Sequence, residues 1–293
     1  MAITAAQVKE LREMTGAGMM DCKKALVACD GDKDKAIDFL REKGLAAAAK
    51  KQGRIAAEGA VLSFVTEDAK VGAIVEINCE TDFVAKTDDF KAMVTKVAEI
   101  VAKTNPADLE ALLATESEGQ TVEAMFTAAT AKIGEKISVR RFARYEVAEG
   151  SCVAAYIHGG GKIGCLVEME GGSEELAKDV AMQVAAAFPK YLDRTVVPAE
   201  ELEHEKAVQA EKFRQEGKPE KMIEKIVMGS INKFYKEVCL VDQAYVKDDK
   251  MSVAQLLKAN NAAVKGFARF QMGEGLEKRQ DDFAAEVAAQ MNA

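Results

Sequence analysis

The sequence contains no tryptophan and only two histidines, His158 and His204, and none of its six cysteines belongs to a C-x-x-C pair. A tetrahedral zinc site needs about four nitrogen or sulfur ligands at short spacings, so no metal site is expected. The cysteines, at positions 22, 29, 79, 152, 165 and 239, mostly sit in apolar runs and read as reduced, packed thiols of a reducing compartment. No apolar stretch approaches the roughly 20 residues that cross a bilayer, so no membrane partner is expected. Neither G-x-x-x-x-G-K-S/T nor G-x-G-x-x-G occurs, which leaves the chain without a phosphate cradle and calls for no cofactor. An excess of positive charge is lacking too: 40 basic against 48 acidic residues give a net charge of -8. That balance opposes salt-driven binding to phosphate backbones, so no direct nucleic-acid partner is expected. Only residues 41–54 are locally basic, five cations against Glu42. The opening MAITAAQVKELRE lacks the apolar core and cleavage site of a leader peptide, which points to the cytoplasm.

What is present is ordinary globular chemistry, 48% hydrophobic and 30% charged over 293 residues, enough for one large domain or two to three smaller ones. The first 45 residues read as three short helices. Thr4 with Gln7 forms a capping box and Ile3 with Val8 a hydrophobic staple, so a helix starts at Ala5 and stops at Thr15-Gly16-Ala17-Gly18. A second runs from Met19 or Met20 to before Asp30-Gly31. Asp32 caps a third, which Gly44 is expected to end. Residues 50–54 then read as a linker.

From residue 58 onward the chain repeats itself. Glu58-Gly59-Ala60-Val61 recurs as Glu149-Gly150-Ser151-Cys152, and Gly72-Ala73-Ile74-Val75-Glu76-Ile77 as Gly164-Cys165-Leu166-Val167-Glu168-Met169. Each pair of strands would turn at 67–70 or 159–161. An amphipathic helix follows each, through Phe90, Val94, Val97 and Val101 or through Leu176, Val180, Val184 and Phe188. Phe142-Ala143-Arg144-Tyr145 then recurs as Phe267-Ala268-Arg269-Phe270. The pattern predicts an α+β fold whose core has two related halves, each a small antiparallel sheet covered by a helix.

The halves differ in two places. The first strand-to-helix connection is six residues longer than the second, and the surplus holds Thr81-Asp82-Phe83-Val84-Ala85-Lys86. The second half carries 39 extra residues, which the stretch 198–238 fits as an antiparallel helical hairpin turning at Gly217-Lys218-Pro219. Pro219 suits the first position of its second helix, whose stripe is Met222, Ile223, Ile226, Val227, Ile231, Phe234 and Val238. Asp281–Met291 reads as a last amphipathic helix. A connection that the sister half does without is not needed by the scaffold, and such loops often carry function. The alternative is that Phe83 folds under its helix and Asp82 solvates a turn. Met19 and Met20 point about 100° apart on a helix. They cannot both face so small a core, so with Leu11 they offer an apolar contact patch. A competing reading makes His158 a base for Cys165 or Cys79 in a small-molecule enzyme, though no third orienting group is evident. A third makes the hairpin a dimerising scaffold.

Val8-Lys9-Glu10-Leu11-Arg12 followed by Thr15-Gly16-Ala17-Gly18-Met19-Met20-Asp21-Cys22-Lys23-Lys24-Ala25-Leu26, and then Thr81-Asp82-Phe83-Val84-Ala85-Lys86, resemble the two signatures of the bacterial elongation factor Ts family. The likeness runs over essentially the full length. It departs at Cys165, where an aliphatic residue is commoner, and is poor over 104–126. The resemblance implies a non-catalytic guanine-nucleotide exchange factor for the GTPase elongation factor Tu, with no nucleophile, cofactor or metal of its own. It implies a UBA-like module with its linker at 1–54 and a first core half at 55–147. The second half would span 148–197 and 239–276, with a coiled-coil insert at 198–238 and a C-terminal helical module at 277–293. Leu11, Met19, Met20 and His158 would touch the partner. Thr81, Asp82, Phe83 and Val84 would dislocate its Mg²⁺. Dimerisation of the factor or of the complex is left open.

Overall fold

In a computed structural model the chain is described over residues 3–15 and 17–277. Three helices open it: α1 (Ala5–Thr15), α2 (Met19–Ala28) and α3 (Lys33–Ala49). The Thr4 amide donates to Gln7 Oε1 at 2.9 Å and the Gln7 amide to Thr4 Oγ1 at 3.3 Å, the expected capping box. Asp32 caps α3 by accepting from the Lys35 amide at 3.1 Å. The bundle closes on Val8, Leu11, Cys22, Ala25, Leu26 and Ala36. Gly44 does not end α3, contrary to expectation. It lies buried inside the helix, where an added Cβ would stand 3.4 Å from the Ala131 methyl. A glycine there lets α3 approach another helix closely, and so thin a core gains from being propped on a larger body.

That body is the two-half core. The first half contains β1 (Glu58–Val65), β2 (Val71–Cys79), the one-turn helix α4 (Asp82–Ala85), α5 (Asp88–Thr104) and α6 (Leu109–Ala114). A short ribbon follows, β3 (Glu116–Ser117) with β4 (Gln120–Thr121), then α7 (Val122–Ile133), which meets α3, and β5 (Ser138–Glu146). The second half contains β6 (Ser151–His158), β7 (Ile163–Glu170), α8 (Glu174–Ala187) and the hairpin α9 (Ala199–Gln215) and α10 (Glu220–Val238). It closes with the ribbon β8 (Ala244–Tyr245) and β9 (Asp248–Ser252), α11 (Val253–Ala259) and β10 (Ala263–Gln271). The antiparallel sheets run β1-β2-β5 and β6-β7-β10, the same order in each half. The helix expected over 281–291 lies outside the described residues.

The repeat extends further than the sequence pattern indicated. Both halves insert a ribbon and a capped helix, β3-β4-α7 and β8-β9-α11, before the last strand; Thr121 caps one helix and Ser252 the other. One correspondence is corrected. Val61 pairs with Glu76 and Val153 with Glu168, so Val61 matches Val153 and not Cys152. A one-residue slip turns every side chain to the opposite face. With the right register Val61, Ile74, Val153 and Leu166 all point into one layer between the sheets. The helices α5 and α8 cover the outer faces.

The sheets meet with near-twofold reciprocity. An added Cβ on Gly72 would lie 2.5 Å from Val153 and one on Gly164 would lie 2.6 Å from Val61. The Val61 amide donates to the Gly161 carbonyl, and the Val153 amide to the Ala69 carbonyl, both at 2.8 Å. Each hairpin tip is thereby tied to the other half, and the turn Gly159–Gly161 has a structural duty.

The hairpin α9–α10 packs around Ile223, Val227 and Ile231, with Leu202, Ala210 and Phe213 opposite. Met222 and Met228 stay exposed, more apolar surface than α9 covers. Pro198 and Pro219 sit at the N-cap positions, one residue earlier than expected for Pro219; neither has an amide proton to leave unpaired.

Candidate functional site

Strand β2, the middle strand of its sheet, ends at Cys79, and there the first half diverges. Thr81 leaves the strand in an extended conformation, and its hydroxyl caps α4 by accepting from the Val84 amide at 3.4 Å. Ala85 is buried in the first-half core and Val84 packs partly against it. These two contacts seat one face of the turn in the core. Phe83 is driven outward and is 80% exposed. The alternative, in which it folds under its helix, is not met. Asp82 pairs with Lys86 one turn on, and that hydrogen bond holds the carboxyl below the usual range, so it is ionised at neutral pH. Thr87 then caps α5 by accepting from the Phe90 amide at 3.3 Å, and Asp88 and Asp89 stand in its first turn. In the second half Ser173 caps α8 the same way, reached directly from β7 through Gly171 and Gly172.

The base of this finger is clamped by Glu135, which belongs to no motif of the sequence. Its Oε2 accepts from the Glu80 amide at 3.1 Å and the Thr81 amide at 3.0 Å, and its Oε1 from the Thr81 hydroxyl at 2.6 Å. The clasp is mutual, because Glu80 Oε1 accepts from the Lys136 amide at 2.6 Å. Lys136 Nζ reaches back to the Gln52 carbonyl at 2.6 Å, tying the N-terminal linker to the same corner. The only local sign was Gly134, which ends α7 in the left-handed region (φ 88°) and turns the next residue toward β2.

At the N-terminus Thr15 and Ala17 are pinned from below. The Thr15 hydroxyl donates to the Leu11 carbonyl at 2.7 Å, and the buried Cys22 thiol to the Ala17 carbonyl at 3.7 Å. With Cys22 inside, the first turn of α2 overhangs the core edge, and Met19 and Met20 are 54% and 62% exposed. Leu11 is corrected: it is 0% exposed, packed with Leu26 in the centre of the bundle, and cannot touch a partner while the bundle is intact. Its effect on any contact must pass through the fold.

His158 is exposed at the β6–β7 tip, stacked on Tyr156 with ring centroids 6.1 Å apart. The nucleophiles proposed for it are buried: desolvation pushes the Cys79 and Cys165 thiols up to about 12, where no reactive thiolate forms near neutral pH. The structure does not bring the three sets into one cluster. It does hang two of them on one strand, since α4 packs on β1 and the turn after His158 is hydrogen-bonded to it. Among the described residues no cluster of His, Cys, Asp and Glu suits a metal ion, and no helix is long and apolar enough to cross a membrane.

The model of the family described as "Elongation factor TS" matches residues 80–274, and that of "UBA/TS-N domain" matches residues 3–40. The chain belongs to the elongation factor Ts family. Curated elongation factor Ts proteins from Lacticaseibacillus casei (strain BL23) and Lacticaseibacillus paracasei (strain ATCC 334) are each 54% identical over 290 residues, 99% of this chain and 98% of theirs. The elongation factor Ts match begins at Glu80, the root of the finger, and spans both halves with the hairpin. The N-terminal match ends at Leu40, whereas α3 continues to Ala49.

Proposed function

We propose that this elongation factor acts in the cytoplasm by speeding GDP release from the GTPase elongation factor Tu. One observation carries the reading: Phe83, an aromatic side chain 80% exposed on a one-turn helix whose base is hydrogen-bonded to Glu135. Such a ring gains roughly 1.5–3 kcal/mol when a partner buries it. Because its backbone is anchored before contact, only the ring's own rotamers are left to order.

A GTPase holds its nucleotide through backbone amides and a Mg²⁺ ion that offsets the phosphate charge. A factor that binds the empty GTPase more tightly than the filled one weakens nucleotide binding by the same factor, because coupling between two ligands is reciprocal. Phe83 wedges side chains apart beside the ion. Asp82 is already ionised, and its exposed partner Lys86 is surrendered cheaply, so the carboxylate competes for polar groups that hold the ion's waters. Thr81 and Val84 seat the wedge. Met19, Met20 and His158 add affinity away from it. No bond in either protein is made or broken. Met222 and Met228 leave the hairpin able to meet a second chain, as dimerisation would require.

The test is release of a fluorescent GDP from elongation factor Tu. Asp82→Ala/Phe83→Ala should lower the maximal stimulated rate while substantial complex still forms; an unchanged rate removes the wedge. Met19→Ala and Met20→Ala should each weaken binding by about 1–2 kcal/mol, and unaltered titrations return those side chains to ordinary surface.

A further inference from the structure

We infer that Glu135 is the positioning residue of the exchange finger: its carboxylate fixes where Asp82 and Phe83 stand. The inference rests on the wedge reading above and adds a residue outside the 81–86 stretch. A helix of one turn does not hold itself together, since nucleation costs more than one turn of hydrogen bonds returns. Something outside α4 must therefore set it. Ala85 and Val84 supply an apolar seat, but an apolar seat has no direction. Direction comes from Glu135, with its three accepted hydrogen bonds on two consecutive residues.

The Thr81 hydroxyl is the relay. It donates its one proton to Glu135 at 2.6 Å, which leaves its lone pairs to accept from the Val84 amide at 3.4 Å. One rotamer satisfies both bonds, and that rotamer is the cap of α4. Without the carboxylate, two backbone amides lose their acceptor and the hydroxyl is free to turn away from the cap. Glu135 is itself held on both sides. Gly134 ends α7 before it, and the Ile137 amide beyond it donates to the buried Thr130 hydroxyl at 3.3 Å. The anchor thus belongs to the α7–β5 corner, packed in the first-half core, and transmits that rigidity to a surface loop. The second half joins β7 to α8 through Gly171-Gly172 with neither finger nor clasp.

Fluorescent GDP release is measured at rising factor concentration for wild type, Glu135→Ala and Glu135→Gln, with amide hydrogen exchange of residues 80–84 followed in parallel. Glu135→Ala should cut the maximal rate about tenfold or more, as misplaced groups near a reacting centre do. Its half-saturating concentration should stay within about twofold, because ground-state contacts are untouched. Protection at 80–84 should fall while that of β2 and α5 stays. Glu135→Gln keeps one acceptor oxygen and should recover most of the rate. In the Asp82→Ala/Phe83→Ala background, Glu135→Ala should change nothing further. A wild-type maximal rate despite lost protection at 80–84 overturns the inference, as does a rate loss that tracks a general loss of protection. If the finger variant alone leaves release unchanged, the wedge reading has failed first, and that outcome is distinct from a failure confined to Glu135.

Discussion

Position 141 in the first half holds arginine, and the equivalent position 266 in the second holds glycine. The Arg141 guanidinium lies 4.5 Å over the Phe270 ring, whereas the space beside Gly266 is taken by the Tyr145 hydroxyl, 3.3 Å from where a Cβ would stand. The strand pairing around both is the same, with a bulge at the same glutamate in each half. Their glutamates have diverged further. Glu76 is 0% exposed, bound to Arg140 at 3.0 Å, to Arg141 at 2.6 Å and to the Gly273 amide at 2.8 Å; Glu168 is only half-buried. The helix ends differ as well. Asn105 and Phe188 close α5 and α8 in the same left-handed conformation (φ 47° and 48°), natural for asparagine and strained for phenylalanine. The Phe188 ring lies 4.1 Å under Arg269, whose Nε and Nη1 are buried without a hydrogen-bond acceptor among the described residues. The frame occurs twice. The first half adds the finger and a buried ionic latch onto residues 271–274, and the second adds the hairpin. A shared backbone therefore fixes architecture without fixing duty.

This comparison can be broken or sharpened by substitution. The largest effect is expected at the latch: Glu76→Ala should cost about 3 kcal/mol by urea unfolding, since the Gly273 amide and two guanidinium groups lose their charged acceptor. Glu168→Ala should cost within about 0.5 kcal/mol, and equal losses would erase the asymmetry. Next come the interface glycines. Gly72→Ala and Gly164→Ala should each cost about 1–3 kcal/mol through overpacking. Their costs should agree closely, and a large difference would deny the near-twofold contact. Phe188→Ala should cost about 1–2 kcal/mol through the lost cation–π contact, while Asn105→Ala should cost less.

The last effect concerns pH and is absent near neutrality. Burial raises the Cys79 and Cys165 thiols from 9.0 to about 12, so above pH 9 the unfolded chain loses protons that the folded chain keeps. Stability should therefore fall as pH climbs from about 9 toward 12. The double alanine variant should flatten that fall, and an unaltered slope would mean the thiols are not sealed.

Sequence reasoning succeeded where the physics is local. The Thr4–Gln7 box, the Asp32 cap and the left-over stretch 81–86 involve residues within a few positions of each other, and all appear where the pattern placed them. It failed where the partner is distant. Gly44 looked like a helix end because its reason, Ala131, lies on another helix. The strand repeat was set one residue out because a shared Glu-Gly pair outweighed pairing partners on the next strand. Leu11 was grouped with Met19 and Met20 by its nearness to the turn, whereas helical phase sends it inward. Glu135 was invisible because a glutamate after a glycine is common and its three donors stand more than fifty positions earlier.

By itself, then, the sequence determined the family, the doubled α+β frame and the existence of a surplus finger, because periodicity, caps and length differences are written along the chain. Only the tertiary structure decided which faces are wet. It turned Phe83 to solvent, closed Leu11 into the bundle and brought Glu135 under Thr81. Exposure and long-range acceptance of hydrogen bonds are set by what packs opposite a residue, and no single segment contains that information.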